Sequence, residues 1–301
     1  MTLRFWLSKG IFKFSTALRY AVLAILPPRE ILQLAYEHYE RASSREHSET
    51  EISQGLNEFE GALLDNELFP PCDLLILGCG SGRETIALAK HGFRVKGVDI
   101  IPRLVEEAKA YATRHQLPAT FECQDITQLR LAPNSHDCAL FTLWLYEQVP
   151  SRVLRIQALG TLRTILRPKG RVIFHFHLSL PTPEERELFY LLLGLAWITW
   201  GNRQYQVGDR PVIPIGFTHP FASVEEVKAE CHEAGFDEVR IRLFEGGWGG
   251  YVVATVGSMN PPRSWPKSSK KHGSSSKSGC GSSATPCSPR GETPKLHERQ
   301  G

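Results

Sequence analysis

Three glycines separated by single residues, Gly78, Gly80 and Gly82, form the stretch of this sequence with the clearest chemical meaning. An apolar run ends directly before them, a helical pattern follows, and a second apolar run ends on Asp99. Glycines at a strand-to-helix turn let a ligand approach the backbone, and a carboxylate after the next strand can accept hydrogen bonds from ribose hydroxyls. The spacing therefore predicts a binding site for a nucleoside-bearing cofactor.

The positions of the glycines separate two classes of such cofactors. A dinucleotide-binding turn has glycine at its first, third and sixth positions, whereas the sixth position here is Arg83. The turn instead resembles the first motif of the class I S-adenosylmethionine-dependent methyltransferases, in which glycines take the first, third and fifth positions. The expected cofactor is therefore S-adenosyl-L-methionine.

The resemblance covers residues 36–256 and continues at later positions. It implies that Asp99 binds the ribose hydroxyls, that Asp125 and Ile126 hold the adenine, and that residues 166–171 form the turn before the fifth strand. The residues that it assigns to the cofactor are Gly78, Cys79, Gly80, Gly82, Glu84, Asp99, Ile100, Asp125, Ile126 and Leu143.

One position departs from the family pattern. The family usually carries an acid two residues before the first glycine, near the methionine end of the cofactor, and this chain has Ile76 there. Arg83 and Glu84, at the start of the next helix, are candidates to replace that acid. Glu84 equally suits a helix N-terminus, where a negative charge is favourable.

Methyl transfer from a sulfonium is an in-line displacement with a good leaving group, so the protein mainly has to align the acceptor and exclude water. A base helps where the acceptor is a hydroxyl, thiol or amine. The fifth strand ends on His177, Tyr146 and Glu147 follow the fourth, and His219 precedes a later helix. His177, His219 and Tyr146 are the catalytic candidates, and ordinary hydrogen bonding within the fold is the alternative role of the histidines.

Two nucleic-acid subclasses are disfavoured by the residues after the fourth strand. Residues 141–144 lack the Asn/Asp-Pro-Pro-aromatic tetrad of enzymes that methylate amino groups of bases, and no Pro-Cys lies there. We see no acidic cluster for a catalytic Mg²⁺, so the expected reaction is independent of metal. The aromatic residues of this region favour a small apolar or aromatic acceptor; they are Trp144, Tyr146, Trp197, Trp200 and Tyr205.

Other functions stay open beside this one. A protein substrate is one alternative, and a non-catalytic methyltransferase-like module that acts as a membrane or protein adaptor is another. Ile76 and the apolar ends of the chain favour the adaptor, whereas the glycine turn, Asp99 and Asp125 favour the enzyme. Arg83 disfavours a nicotinamide oxidoreductase.

Short apolar strands alternate with helical patterns over most of residues 73–177. This alternation predicts an α/β fold with a doubly wound, mostly parallel seven-stranded sheet. Two β-rich runs around a glycine-rich turn, 238–244 and 251–256, predict a C-terminal antiparallel hairpin. The fourth strand is expected at 138–143, after Asp137, and the fifth at 171–177.

The composition divides the chain into three parts. Residues 1–29 form a basic apolar segment, and residues 30–258 form the methyltransferase domain, in which 181–218 are an apolar insert or lid. Residues 259–301 form a basic tail rich in Ser, Lys, Gly and Pro, which we expect to be disordered.

The charge is distributed unevenly. Residues 1–29 carry five cationic residues and no acid, and residues 261–301 carry eight Lys or Arg against two acids. The whole chain has a net charge of +3, so residues 30–260 carry −8. This acidic body disfavours nucleic acid as a partner, and a small-molecule methyl acceptor is expected instead.

The cellular compartment is only weakly indicated. None of the seven cysteines forms a C-x-x-C pair, which favours a reducing compartment, and a cytoplasmic location is expected. Residues 1–29 are also compatible with a secretory signal, a mitochondrial transit peptide, an interfacial membrane helix or a helix that packs on the body. Peripheral membrane contact through 1–29 or 188–200 is a further expectation.

Overall fold

The computed structural model describes residues 3–42, 45–212 and 216–258. The predicted C-terminal tail lies outside these residues. The helices are α1 (Leu3–Ile25), α2 (Pro28–Ala42), α3 (Arg45–Gln54), α4 (Glu58–Asn66), α5 (Arg83–Lys90), α6 (Pro102–Arg114), α7 (Leu145–Gln148), α8 (Arg152–Ile165), α9 (Pro183–Ile198) and α10 (Val224–Glu233). The strands are β1 (Asp73–Leu77), β2 (Arg94–Asp99), β3 (Ala119–Cys123), β4 (His136–Phe141), β5 (Leu166–His177), β6 (Arg210–Pro211), β7 (Phe217–Thr218), β8 (Glu238–Leu243) and β9 (Gly249–Thr255).

The central sheet has seven strands in the order β3-β2-β1-β4-β5-β9-β8. Strands β1 to β5 pair in parallel, whereas β9 is antiparallel to both β5 and β8. This arrangement confirms the predicted fold class and the C-terminal hairpin. Because β1 lies between β2 and β4, the chain leaves it towards one side of the sheet and later returns on the other, and ligands bind where this reversal opens a crevice.

Alternating side chains of the strands build a core on each face of the sheet. In β1, Leu75 and Leu77 join the cluster that contains α8 and α10 residues, whereas Leu74 and Ile76 join the cluster on the opposite face with α5 and α6. Successive residues of a strand point to opposite faces, so an apolar run such as Asp73–Leu77 must be covered on both sides. The buried residues 74–77 of β1 thereby fix the turn that follows them.

The predicted bounds of the fourth and fifth strands are wrong. β4 begins at His136, contains Asp137 and ends at Phe141, and β5 begins at Leu166, so the expected turn at 166–171 lies within a strand. His136 pairs with Leu166, and the register then shifts before Cys138. This irregularity accommodates Pro and Gly, which otherwise indicate a turn.

The N-terminal helix packs against the insert. Leu23 and Ala24 of α1 lie in one buried cluster with Leu192 and Ala196 of α9. In the described part of the chain, no helix by itself is long and apolar enough to cross a bilayer, and α1 and α2 meet that requirement only as a pair bent by 120°. The boundaries of the predicted N-terminal segment and lid stay predictions.

Candidate active site

The glycine turn between β1 and α5 leaves open space at one glycine only. Gly78, Gly80 and Gly82 all have positive φ, at 73°, 50° and 96°. A Cβ atom at Gly78 would collide with the Leu145 side chain, and one at Gly82 would lie 3.1 Å from three carbon atoms. At Gly80 nothing lies within 4 Å. The outer two glycines are therefore required by packing, and a ligand can approach the backbone at Gly80.

Asp99, at the end of β2, is fixed against this turn. Its Oδ2 atom accepts a hydrogen bond from the Gly80 N–H at 2.8 Å, and its Oδ1 atom accepts one from the Ile101 N–H at 2.9 Å. The residue is 9% exposed, and this burial raises the pKa of the carboxyl group although the backbone hydrogen bonds lower it. Each oxygen keeps a further lone pair, so the pair of Asp99 and Gly80 fits the ribose of the expected cofactor.

The residues expected around the adenine lie at the same edge of the sheet. Ile100 is 38% exposed directly after β2, and Gln124 donates its backbone N–H to the Asp99 carbonyl at 2.9 Å. Asp125 caps the short 3₁₀ helix Ile126–Gln128, because its Oδ1 atom accepts hydrogen bonds from the N–H and hydroxyl of Thr127, both at 2.8 Å. Its side chain is thus oriented by its own turn.

The other expected cofactor residues differ in how accessible they are. Ile126 is half-buried and packs against the core, and Leu143 is half-buried after β4. Cys79 is 2% exposed, and burial raises the pKa of its thiol well above the ordinary value. The side chain of Cys79 therefore supports the turn from below, facing Gly97.

Arg83, Glu84 and Glu60 form a charged cluster at the start of α5. Arg83 donates to both carboxylate oxygens of Glu60 at 2.8 Å and to Oε1 of Glu84 at 2.5 Å. Burial, followed by the Glu60 charge, raises the pKa of Glu84 to about 7, against the lowering effect of Arg83. Ile76 is fully buried in the core. Glu60 and Glu84 therefore supply the acidic groups near the turn. The position that is usually acidic in the family is the buried Ile76.

Glu60 is not among the site residues expected from the sequence, although a local sequence signal for its position exists. Asn57 and Glu60 form a capping box at the start of α4, in which the Asn57 side chain accepts the Glu60 N–H at 3.0 Å and the Asn57 N–H reaches Glu60 Oε2 at 2.9 Å. The N-x-x-E spacing predicts such a box. Nothing in that spacing indicates that the same carboxylate pairs with Arg83.

His177 is the catalytic candidate that the structure places at an accessible position. Its Nδ1 atom lies 2.6 Å from Oε1 of Glu147, and its backbone N–H donates to Oε2 of the same carboxylate at 2.9 Å. The Glu147 side chain is 2% exposed, whereas that of His177 is 35% exposed. A carboxylate at Nδ1 favours the tautomer protonated there, which leaves Nε2 as a proton acceptor.

Tyr146 and His219 are buried and fully engaged in the fold. The Tyr146 hydroxyl donates to Glu230 Oε2 at 2.6 Å, and Arg155 donates to both oxygens of the same carboxylate. His219 lies between Asp209, at 2.7 Å, and Glu226, at 3.2 Å. Burial alone would lower the pKa of His219, but these two hydrogen bonds outweigh it and raise the pKa. The contacts supply a structural role for each side chain, and a catalytic role for either stays a prediction.

Replacing Tyr146 with phenylalanine should separate these roles. The change removes one hydrogen bond from the buried Glu230 carboxylate, so we expect a loss of about 1–3 kcal/mol in the free energy of unfolding. Turnover per folded molecule should stay close to that of the wild type. Denaturant unfolding and initial rates measure the two quantities. A variant that is stably folded but slower by ~100-fold would instead give Tyr146 a catalytic role.

Six rings gather beside His177, and we call them the aromatic cluster. They are Phe59, Trp144, His175, His177, Phe244 and Trp248. The Trp144 and His177 rings stack, with centroids 3.7 Å apart and planes at 23°, and the Phe244 and Trp248 centroids are 5.0 Å apart. Trp248 is 42% exposed. The cluster is thus an apolar surface with one accessible imidazole.

His175 belongs to this surface as a neutral ring. It is 1% exposed, and neither ring nitrogen has a hydrogen-bond partner among the residues that the structure describes. Burial lowers the pKa of His175 to about 4. Its neighbours are the rings of Phe59, Phe244 and Tyr251. His175 therefore contributes an uncharged face to the cluster.

A short segment after β4 connects the glycine turn to the aromatic cluster. The Thr142 hydroxyl donates to the Gly78 carbonyl at 3.1 Å, and Leu145 lies against Gly78. Between them, Trp144 has a positive φ of 65°, a conformation that is uncommon outside glycine and often found at functional sites. This backbone turns the indole onto His177.

The end of the insert, with the residue that follows it, also contacts the pair of His177 and Glu147. Thr218 of β7 donates its hydroxyl to Glu147 Oε1 at 3.2 Å, and the His219 N–H donates to the Glu147 carbonyl at 2.9 Å. The backbone of His219 thus contacts Glu147, although the His219 ring is buried. Within the residues described, no three His, Cys, Asp or Glu side chains are grouped so that they could hold a metal ion.

Comparisons with known proteins agree with this site. Residues 74–170 match a family model described as a methyltransferase domain. A ubiquinone biosynthesis O-methyltransferase of Coxiella burnetii is 36% identical over 125 residues, which are 42% of this chain and 50% of the relative. An S-adenosyl-L-methionine-dependent Diels-Alderase of Talaromyces variabilis is 38% identical over 102 residues, 33% of this chain and 34% of the relative. The chain spans half or less of the length of these curated relatives.

A solved structure supports the fold. An S-adenosylmethionine-dependent methyltransferase of Methanosarcina mazei superposes with a TM-score of 0.51 at 20% identity, covering 67% of this chain and 99% of that chain. The matched residues 74–170 run from β1 into β5 and contain the glycine turn, Asp99 and Asp125. Residues 74–170 are therefore similar to a methyltransferase domain, and the fold around them is the class I, Rossmann-like fold of S-adenosyl-L-methionine-dependent methyltransferases.

Proposed function

We propose that the protein transfers a methyl group from S-adenosyl-L-methionine to a small apolar or aromatic molecule, without a metal ion. The observation that carries this proposal is the hydrogen-bonded pair of His177 and Glu147 within the aromatic cluster, one segment away from the glycine turn. A proton acceptor, an apolar surface and a cofactor turn then lie at one edge of the sheet, which is what transfer to a weakly acidic group requires.

The cofactor, when bound, supplies a methyl group on a sulfonium centre. The Asp99 carboxylate and the open backbone at Gly80 hold the nucleoside, and Ile100 and Asp125 border the base. We propose the charged cluster of Arg83, Glu84 and Glu60 for the amino-acid end, because it supplies both signs of charge at the start of α5.

The chain contributes alignment and proton transfer. His177 Nε2 would accept the proton of the acceptor hydroxyl whose oxygen takes the methyl group, and the cofactor would supply that group and leave as a neutral thioether. Glu147 holds the ring and stabilises the imidazolium that forms. The aromatic cluster binds a flat apolar acceptor, and residues 181–218 cover it as a lid. The name of the Coxiella relative, an O-methyltransferase, supports oxygen as the accepting atom.

A second candidate function is a methyltransferase-like module that binds the cofactor and acts as an adaptor. It is favoured by the exposed apolar surface of α1 and by Ile76. The two candidates differ in one respect that can be measured, because only the enzyme forms a methylated product.

Labelled cofactor tests the proposal directly. The full chain, incubated with cofactor carrying a deuterated methyl group and a metabolite extract, should yield labelled small molecules of apolar or aromatic character, identified by mass. The control is the same extract with the His177→Ala variant, which should leave them unlabelled at equal protein concentration. Binding of S-adenosylhomocysteine by calorimetry without any labelled product would favour the adaptor, and absence of binding would contradict the cofactor assignment.

A further inference from the structure

Two helices expose large apolar side chains to solvent. On α1 these side chains are 48–74% exposed, and they are Phe5, Trp6, Leu7, Ile11, Phe12 and Phe14. On α9 and the turn after it they are 57–80% exposed, and they are Tyr190, Leu191, Trp197, Ile198 and Trp200. Scattered apolar residues on a surface are normal, but a dense set on neighbouring helices marks a contact surface. We call these two sets the apolar platform.

The platform is one structural unit, because α1 is fixed to the insert. The Tyr20 hydroxyl donates to Glu185 at 3.1 Å, and the Asn202 N–H donates to the Ala24 carbonyl at 2.8 Å. Leu23 and Ala24 are also buried against α9. A partner that binds α1 therefore also acts on the insert.

All charged side chains of α1 are cationic. On the platform, some cations lie over aromatic rings. α1 carries Arg4, Lys9, Lys13 and Arg19 and no acidic residue. The Lys9 ammonium lies 5.7 Å from the Trp6 ring centroid. After α9, the Arg203 guanidinium lies 4.5 Å from the Trp197 ring centroid and 4.3 Å from that of Trp200.

These features match an anionic lipid surface. Aromatic rings with one apolar body and a polar edge occupy the boundary between water and acyl chains, while Lys and Arg stems reach past them to the phosphates. An acidic protein groove would match the cations but would not need so many exposed aliphatic and aromatic residues on two helices. Both α1 and α9 are long enough to lie in the plane of the interface between water and lipid.

We propose that the apolar platform docks the protein on anionic membranes, with α1 and the α9 turn at the interface. The insert that carries α9 also carries Thr218, which donates to the carboxylate of Glu147. The docked face and a residue that contacts the Glu147 carboxylate therefore belong to the same insert. If the proposed function holds, the acceptor is an apolar molecule taken from the bilayer, and this clause alone rests on that function.

Vesicle sedimentation tests the docking without cofactor or acceptor. The full chain should sediment with phosphatidylcholine vesicles that contain phosphatidylserine, and much less with phosphatidylcholine alone. Added salt should weaken the binding, because it screens the charges. Tryptophan emission should shift to the blue when the rings of Trp6, Trp197 and Trp200 enter the interface.

Two double variants and their controls make the test specific. Lys9→Ala with Lys13→Ala should weaken binding to the phosphatidylserine vesicles roughly 25-fold, about five-fold for each cation, and Phe12→Ser with Phe14→Ser should weaken it at least as much. The matched controls are Lys90→Ala on α5 and Val153→Ser on α8, which are exposed elsewhere and should leave binding unchanged. The melting temperature of each variant reports folding.

Three results would overturn the proposal. The first is a wild-type chain that does not sediment with phosphatidylserine vesicles, and the second is an equal loss of binding in the control variants. The third is a concentration-dependent dimer that Phe12→Ser with Phe14→Ser dissociates, since the platform would then bind a second copy. Because no turnover is measured, these results do not depend on whether the protein is a methyltransferase.

Discussion

Replacing Asp99 with alanine should abolish the thermal stabilisation that S-adenosylhomocysteine gives to the wild-type chain. The Asp99 carboxylate is held between the N–H groups of Gly80 and Ile101, beside the only open position of the glycine turn. Two charge-assisted hydrogen bonds to the ribose hydroxyls contribute about 1.5–3 kcal/mol each. Their loss should weaken binding more than ~100-fold, which calorimetry can measure.

The same substitution also removes two internal hydrogen bonds, so its control must do likewise. Asp137 accepts the Asp73 N–H at 2.8 Å and pairs with Arg167 at 2.7 Å, at the opposite edge of the sheet. Asp137→Ala should lower the melting temperature of the free protein yet keep the shift with S-adenosylhomocysteine. An Asp99→Ala variant that keeps an unchanged shift would show that the ribose contact is misassigned.

Replacing His177 with alanine should lower kcat by a factor of about 10²–10⁴, the usual contribution of a general base. Affinity for S-adenosylhomocysteine should remain near that of the wild type, because His177 is separated from the glycine turn by Trp144. Single-turnover rates and calorimetry measure these two quantities. His91→Ala is the control, since His91 is exposed after α5, and its rate should not change.

Replacing Glu147 provides a second test of His177 as the general base. Glu147→Gln keeps the shape of the residue but removes the charge that favours the imidazolium, so the rate should fall, though less than in His177→Ala. A His177→Ala variant with wild-type kcat would mean that the accessible imidazole takes no part in the reaction. A parallel loss of cofactor affinity would mean that the ring supports the cofactor turn.

The cofactor half of the site was predictable because its signals are local. The apolar strand, the glycine spacing and Asp99 lie within a short stretch, and each determines the backbone of its own turn. The final hairpin was predictable for the same reason, since a glycine-rich turn lies between β8 and β9. The adenine role of Asp125 is implied by the family resemblance and stays a prediction.

The aromatic cluster was not predictable, because distant segments build it. Phe59 comes from α4, Trp144 from the turn after β4, and Phe244 and Trp248 from the hairpin. Nothing in the neighbours of these residues indicates that their rings meet. The same limit applies to Tyr146, because a strand-end position does not reveal that its hydroxyl is buried on Glu230. The order of residues along the chain predicts at which end of the strands a residue lies. It does not predict whether the side chain is accessible.

The hydrogen bonds from the insert to Glu147 have a consequence for the order of events in a reaction cycle. Thr218 and His219 both donate to this residue, to its side chain and to its carbonyl. An outward displacement of the insert that admits an acceptor would break these bonds and loosen the carboxylate that orients His177. In the function proposed above, with His177 as the base and residues 181–218 as the lid, the ring is then aligned only while the acceptor site is covered. Opening of the site to solvent and alignment of the imidazole would then exclude one another, and this coupling would act as an interlock against unproductive proton transfer.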